Sequence, residues 1–597
     1  MSSAIVFGAN GFIGRPLVAE LLNRGRQVAA TVRGSGGALT SWLAEQGVDI
    51  RGLTIVRADI TEHGLGLAPD ALPDVRDVYN AAGRYAFGIT AAEAQATNVA
   101  GALHVVEWAA TRPDLRRLVH ISGYRVSGED SPPPDYRKLG AYEASKIEGD
   151  TAVRARAREL GVPLTLANPS SVIGPGQYIG LATMIADLWR GKLPALPGSR
   201  DVFLPVVTLD HLVHFLASIP EHSETAGNGY WILDDTTPNL PELVSLVAEH
   251  LGVRAPSRTV PVGLIRQLPR SLTGADPETL SFLSADRYPT KSANVFAEIT
   301  GVPVPAVDDA LREWADHLVA TRFGAAELPS RVSGFHSIAG SQTWVVGELQ
   351  SPEYVLLHGL LVDADSWTGV ADRLGVPVLA ADLPGLGRSA PAVAGPDAWL
   401  TDLMNPVTTR PVLVAHSLAA GPALRFAKKH PERISGLALV APAFLQKPSS
   451  LLVRSPLAVA SLRRITADRL ARTMGLPLPP GEAVASTVDS LGRPGAAARA
   501  IKALRAHHAE HGELRQFLGD VQVPVQLIVG SADPLDVTTE LPVVTVKDAG
   551  HYPQLAAPDA VAEAIENFSA RIQQPIQGGG RHRAESPADL EATSAPE

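Results

Sequence analysis

The chain contains no cysteine. That absence excludes disulfides, thiolate metal sites and a cysteine nucleophile, and it suits a reducing compartment. Basic charge is not in excess either. Lys and Arg number 52 against 62 Asp and Glu, a net charge of −10, so nothing here offers the electrostatic footprint of a nucleic-acid binder. No apolar run is long enough to span a bilayer, which argues against stable membrane insertion. A strand pattern begins within a few residues of Met1 and leaves no room for a signal peptide. Together these features predict a cytoplasmic protein that acts on small-molecule substrates; they leave a homodimer open. What the chain does have is length, 597 residues, and 45% hydrophobic content. That is enough for two or more domains with ordinary cores.

Two stretches of strand–helix alternation are visible. The first runs from residue 4 to about 320 and includes Thr54-Ile55-Val56, Asp77-Val78-Tyr79-Asn80 and Leu118-Val119-His120-Ile121. Such alternation predicts a parallel sheet with crossover helices. The second starts with a strand pair around 335–347 and continues through Tyr354-Val355-Leu356-Leu357, Pro411-Val412-Leu413-Val414, Leu437-Ala438-Leu439-Val440 and Val525-Gln526-Leu527-Ile528. The predicted domains are 1–322 and 334–573, joined by a linker at 323–333, and the seam predicts two separately folding halves. Strand signals stop between about 444 and 520, where helical patterning predicts a cap. The tail, 574–597, is polar and rich in Gly, Pro, Ser and Glu, a disordered composition.

The first strand, Ala4-Ile5-Val6-Phe7, runs into Gly8-Ala9-Asn10-Gly11-Phe12-Ile13-Gly14. Glycines where a strand turns into a helix let the backbone approach a pyrophosphate, and the helix N-terminus supplies N–H donors. Further on, Tyr142 and Lys146 are four residues apart and share a helix face. A nearby ammonium favours phenolate, which predicts a lowered Tyr142 pKa and an acid/base role.

On these residues the first half resembles the extended or atypical short-chain dehydrogenases/reductases, the NAD-dependent epimerase/dehydratase family. The resemblance covers residue 4 to about 315. It implies a Rossmann-type doubly wound parallel sheet with a small substrate subdomain. It also implies cofactor contacts from Gly8, Asn10, Gly11, Phe12, Ile13 and Gly14, and from Asp59-Ile60, Ala81-Ala82, Asn98, Tyr142, Lys146, Pro169 and Ser171. No Asp or Glu lies between 28 and 44, where an NAD site usually places an acid. Arg33 stands there instead and could hold a 2′-phosphate, so NADP(H) is favoured over NAD(H). The family's substrate-polarising Ser or Thr falls at Gly123. Ser122 is one residue away and serves only if the strand has already turned; Tyr124 and Ser127 are the other candidates.

In the second half, Ala415-His416-Ser417-Leu418-Ala419 lies between an apolar strand and a helical segment, with Asp533 and His551 downstream. A serine on a strand–turn–helix elbow, followed by Asp and then His, is the order of the α/β-hydrolases, which this half resembles from about 335 to 572. The resemblance implies Ser417 as nucleophile, His551 as base and Asp533 as its orienting carboxylate. His358-Gly359-Leu360-Leu361 resembles the oxyanion loop, so the N–H groups of Leu360 and Leu418 are the implied oxyanion hole. Asp382 to Ser389 is a further match. A serine elbow favours ester, thioester, lactone or C–C bond cleavage over the epoxide and dehalogenation chemistry of an Asp nucleophile.

The chain therefore reads as an α/β protein with two active sites and no metal: an NADP-dependent carbonyl reductase fused to a serine hydrolase. Two alternatives remain for the first half. One is a nucleotide-sugar epimerase or dehydratase; the other is a cofactor-sensing or scaffold module without turnover.

Overall fold

A computed structural model describes residues 3–68, 71–86, 88–126, 133–267, 280, 282–446, 457–507, 511–536 and 539–573. The tail predicted to be disordered and the candidate Ser127 lie outside the described residues.

The N-terminal half contains β1 (Ala4–Phe7), β2 (Val28–Val32), β3 (Leu53–Arg57), β4 (Asp77–Asn80), β5 (Arg117–Ile121), β6 (Leu164–Pro169), β7 (Ser171–Ile173), β8 (Leu196–Pro197), β9 (Val206–Thr208), β10 (Gly229–Ile232) and β11 (Thr259–Val260). Seven of these form one sheet in the order β10-β6-β5-β4-β1-β2-β3, every pairing parallel. The order reverses at β1 and β4, the doubly wound switch point where ligands bind beyond the strands' carboxyl ends. Alternate residues feed opposite cores. Ala4 and Val6 pack into one cluster, Ile5 and Phe7 into the other, which is why the strands read as unbroken apolar runs. The short pairs β7–β9 and β8–β11 belong to the smaller subdomain.

The C-terminal half contains β12 (Ser333–Ile338), β13 (Ser341–Gly347), β14 (Tyr354–Leu357), β15 (Val378–Ala381), β16 (Val412–His416), β17 (Gly436–Val440), β18 (Val525–Gly530) and β19 (Val543–Val546). They form one sheet in the order β12-β13-β15-β14-β16-β17-β18-β19, antiparallel at β12–β13–β15 and parallel thereafter. Between β17 and β18 the described residues form the helices Leu457–Arg463, Ala467–Met474, Glu482–Gly492, Ala496–His507 and His511–Gly519. Among the described residues no helix is long and apolar enough to cross a membrane.

The seam departs from the sequence reading. Residues 323–333 do not form a free tether. Phe323 N donates to Leu318 O at 2.7 Å and Ala326 N to Thr321 O at 3.0 Å, folding the chain back onto the end of the helix Val307–Ala320. Gly324 packs so closely on Tyr178 that a Cβ would lie 2.8 Å from its ring. One apolar cluster spans both halves: Trp189, Trp314 and Leu318 from the first, Phe335 and Trp344 from the second. The rings of Phe335 and Trp344 meet edge-on at 4.9 Å, and those of Trp189 and Phe335 at 5.8 Å. Asp316 accepts from the Phe335 backbone N–H at 3.2 Å and from His250 at 2.7 Å. Sequence periodicity shows that a face is apolar, not which element covers it; here the cover comes from the other domain.

Candidate active sites

The glycine turn sits at the end of β1, against the loop that follows β4. Gly8 has φ +78°, and a Cβ there would lie 2.7 Å from Ala82 N and 2.8 Å from Ala81 C. A Cβ on Gly14 would lie 2.1 Å from Gly8 O. Both positions therefore require glycine. The helix Gly14–Asn23 begins with no side-chain cap and no acidic residue in its first turn, so its N-terminal N–H groups and dipole suit an anion. Asn10 does not face a free turn: its Oδ1 accepts from Arg15 Nε at 2.9 Å. Asp59 lies past β3, holds Thr61 N and Oγ1 at 2.9 and 2.8 Å, and is near enough to Arg33 for the guanidinium to help lower its pKa. Ile60 is buried beside it, and Arg33 is exposed at the end of β2. Phe12 and Ile13 are half-buried on the turn.

Tyr142 and Lys146 lie on the helix Ala141–Leu160. The lysine Nζ donates to Ile121 O at 3.0 Å, at the end of β5, and burial brings Lys146 down to about 8. The expected phenolate does not follow. Burial raises the Tyr142 pKa, with help from the nearby Tyr85 and Tyr124 phenols and Glu143. The Tyr85 ring packs edge-on against Tyr142 at 4.9 Å. The lysine's charge is spent on the Ile121 carbonyl and does not reverse the desolvation. A neutral phenol is the form that donates a proton.

The chain after β5 carries Ser122, Gly123 and Tyr124. The strand ends at Ile121, so Ser122 is already outside it, although its N–H still donates to Ala167 O at 2.8 Å. Ser122 is 5% exposed, yet its Oγ finds no hydrogen-bond partner; the Tyr124 hydroxyl is buried and unpartnered too. Orphaned buried polar atoms are uncommon and call for an explanation. The glycine cradle, the uncapped helix and these orphans fit a dinucleotide with its substrate. Asn98 departs from the expected cofactor contact. It sits in a π-turn, Ala96–Ala100, accepting from Arg84 N at 2.8 Å and donating to Ser145 Oγ at 2.9 Å. It ties two elements together beneath the site. Pro169 ends β6 and Ser171 opens β7.

In the second half, Ser417 follows β16 with φ +53°, a left-handed conformation that costs a non-glycine residue on the order of 1–2 kcal/mol. Ala415 and Ala419 are fully buried around it; alanine is small enough for that packing. Ser417 Oγ lies 2.8 Å from His551 Nε2, and His551 Nδ1 lies 2.7 Å from Asp533 Oδ2. A hydroxyl, an imidazole and a carboxylate in that relay can deprotonate the serine and stabilise the imidazolium. Gly359 presses against the elbow: its N–H donates to His416 Nδ1 at 3.1 Å, and a Cβ would lie 2.6 Å from Ser417 Cβ. Leu360 is the next residue after Gly359, and Leu418 directly follows the serine.

Two supporting residues carried no sequence signal. Gln446 donates to both the Asp533 carboxylate and its backbone carbonyl, the latter at 3.1 Å. His416 bridges the Gly359 N–H to His551 O, 2.8 Å from its Nε2. Burial and His551 hold it neutral, far below the usual histidine range. The Asp382 to Ser389 segment is structural: Arg388 bridges Asp382 and Asp365 at 3.0 and 2.8 Å inside the domain. Among the described residues there is no acidic or histidine cluster that could hold a metal.

These two folds and their polar relays define a pair of enzyme domains on one chain. Residues 4–216 match the NAD dependent epimerase/dehydratase family, and residues 354–564 match the alpha/beta hydrolase family. The chain thus joins a domain of a nicotinamide-cofactor family to an α/β-hydrolase domain. Among curated relatives, it is 27% identical over 255 residues to a pimeloyl-[acyl-carrier protein] methyl ester esterase of Aromatoleum aromaticum, covering 37% of this chain and 98% of that protein. It is 25% identical over 185 residues to 3beta-hydroxysteroid-dehydrogenase/decarboxylase isoform 1 of Arabidopsis thaliana, covering 28% of this chain and 42% of that protein. It is 27% identical over 280 residues to tetraketide alpha-pyrone reductase 1 of the same plant, covering 43% and 82%.

Proposed function

We infer that the chain carries out two reactions: serine-dependent hydrolysis of an ester, thioester or lactone by the C-terminal domain, and NADP-dependent carbonyl reduction by the N-terminal domain. The boundaries that go with this reading are 1–322 and 334–573, with a cap at about 444–520.

The relay of 2.8 and 2.7 Å through His551 carries the hydrolase reading. Ser417 Oγ attacks the acyl carbon as His551 Nε2 takes its proton. Asp533, steadied by Gln446, fixes the tautomer in which Nε2 is free to accept. The N–H groups of Leu360 and Leu418 receive the oxyanion. His551 then returns the proton to the leaving group, and water repeats the sequence in reverse. The esterase relative supports an ester among the three bond classes.

For the first domain, a bound nicotinamide would supply the hydride. The turn from Gly8 to Gly14 would hold its pyrophosphate, Arg33 its 2′-phosphate. In this reading Ser122 Oγ, buried and without a partner, polarises the carbonyl, and Tyr142, neutral by burial, protonates its oxygen. A relative named a reductase supports reduction as the reaction class. The test is direct. Ser417→Ala should abolish fluorophosphonate labelling and ester turnover while leaving NADPH oxidation with a carbonyl panel intact. Labelling that survives the substitution would refute the hydrolase assignment.

A further inference from the structure

Between the cap helices and the 385–388 loop lies a part-open cavity of about 20 Å³, mostly apolar (Leu361, Leu386, Leu491 and Ala500) but with Asp363 and Ser490 also on its wall. That is room for about one water-sized group. Leu361 follows directly on the 358–360 turn, which is pressed against Ser417. The opposite wall belongs to the cap helices Glu482–Gly492 and Ala496–His507.

That wall is fastened to the other domain. Arg493 ends the first of these helices. Its Nη1 donates to Arg388 O at 2.8 Å and to Gly387 O at 3.2 Å, and Arg499 Nε donates to Gly385 O at 2.8 Å. The loop that carries Leu386 therefore hangs from the cap by three backbone carbonyls. The Arg493 guanidinium also lies 3.4 Å from the ring centroid of Trp189, on the N-terminal domain's helix Leu181–Trp189. Arg493 and Trp189 are 7% and 8% exposed, so this cation sits over an indole face away from water, the strong form of the contact. Burial and the neighbouring Arg499 bring Arg493 down to about 9, which leaves it charged at neutral pH. Two further contacts reinforce the attachment. Pro494 packs on Gly191, where a Cβ would lie 2.3 Å from the proline ring. Arg322 reaches from the N-terminal domain to Glu482 and, at 3.3 Å, to Asp489.

We propose that Trp189 and Arg493 are specificity-determining residues of the hydrolase: the N-terminal domain holds the cap against the 385–388 loop and so limits the acyl chain that fits between the cap and Ser417. The inference rests on the serine-hydrolase reading. It makes the N-terminal domain a structural part of the hydrolase pocket, and it makes the parent enzyme selective for short acyl groups. Neither residue touches the relay, so both act by positioning.

The experiment uses the full-length chain and p-nitrophenyl acetate, butyrate and octanoate, with fluorophosphonate labelling of Ser417 run alongside. In Trp189→Ala and Arg493→Met, the octanoate-to-acetate ratio of kcat/KM should rise by about tenfold or more, the scale on which a few methylenes are discriminated in an apolar pocket. The change should lie mainly in KM for octanoate, with the labelling rate within about threefold of the parent. Trp189→Phe and Arg322→Ala disturb folding less and should shift the ratio in the same direction by smaller amounts. An unchanged ratio in every soluble variant that still labels overturns the inference and leaves the hydrolase reading standing. A parent chain that neither labels nor cleaves any of the three esters overturns the hydrolase reading, and the inference with it.

Discussion

Phe335→Ala tests whether the two halves are one folding unit. Phe335 is 7% exposed on the first strand of the C-terminal sheet, and its ring meets Trp344 at 4.9 Å, His250 at 5.7 Å and Trp189 at 5.8 Å. Two of these three partners belong to the N-terminal domain. Truncating a buried phenylalanine costs about 3–5 kcal/mol in lost transfer energy and cavity formation. At about 2.1 cal/mol/K per residue, a single unit formed by both halves loses somewhat under 1 °C per kcal/mol, so the apparent Tm should fall by on the order of 2–4 °C. Because the loss falls on the interface, its signature should be more than a shift. Scanning calorimetry of the parent should show one dominant transition. In the variant, that transition should split as the halves begin to unfold separately. Cutting the chain between Gly324 and Ser330 should have a harsher effect, leaving Trp314 and Leu318 uncovered on one fragment and Phe335 on the other, with poor solubility of both. Two separate transitions in the parent, or a Tm change of a degree or less in Phe335→Ala, would refute the shared core.

Asp533→Asn should lower ester turnover by about 10⁴ with little change in fold, since it disturbs the His551 tautomer and leaves the nucleophile in place. Gln446→Ala should cost less, and kcat measured for both with one ester checks the order. Arg33→Ala should weaken NADPH binding by roughly ten- to a hundredfold and leave NADH nearly unchanged, read from cofactor titrations; equal affinity for both cofactors in the parent would refute the role. Ser122→Ala should reduce carbonyl turnover by about two to three powers of ten. Gly123→Ser meets no atom within 4 Å of its Cβ, so it should fold normally and can add a second polarising hydroxyl. Lys146 falls from 10.5 to about 8 on burial. Its ammonium is therefore present below that pH and lost above it, and log kcat/KM for reduction should decline as pH rises through about 8. A flat profile from pH 7 to 9 would show that the ammonium has no part in turnover.

Motifs whose chemistry is local were legible in the sequence. The glycines at 8 and 14 are required by backbone approach within one turn, and a strand–turn–helix serine declares itself by its neighbours. The parallel character of the two sheets also followed from strand–helix alternation; their strand order did not. What was not legible depends on distant partners. Lys146 seemed placed to acidify Tyr142, but helix spacing cannot reveal that its Nζ turns to Ile121 O, nor that Tyr85 shields the phenol. Asn98 matched a cofactor motif and proved to be committed to Arg84 and Ser145. Gln446 lies 87 positions from Asp533 and follows no motif. The stretch from 323 read as a linker because it lies between two strand–helix alternations; Gly324 packs against the Tyr178 ring.

The helix Val307–Ala320 closes the N-terminal half in chain order, yet its Trp314 and Leu318 share a core with β12. β12 is the outer strand of its sheet, and outer strands that lie bare invite pairing between molecules. In recombination terms, the helix Val307–Ala320 is tied to the C-terminal sheet as well as to its own half. A chimera that exchanges the N-terminal half at the seam would leave the hydrolase domain with an uncovered flank. One that carries 307–322 along with the hydrolase would keep that cover and move the scar to the loop after the helix Lys291–Thr300.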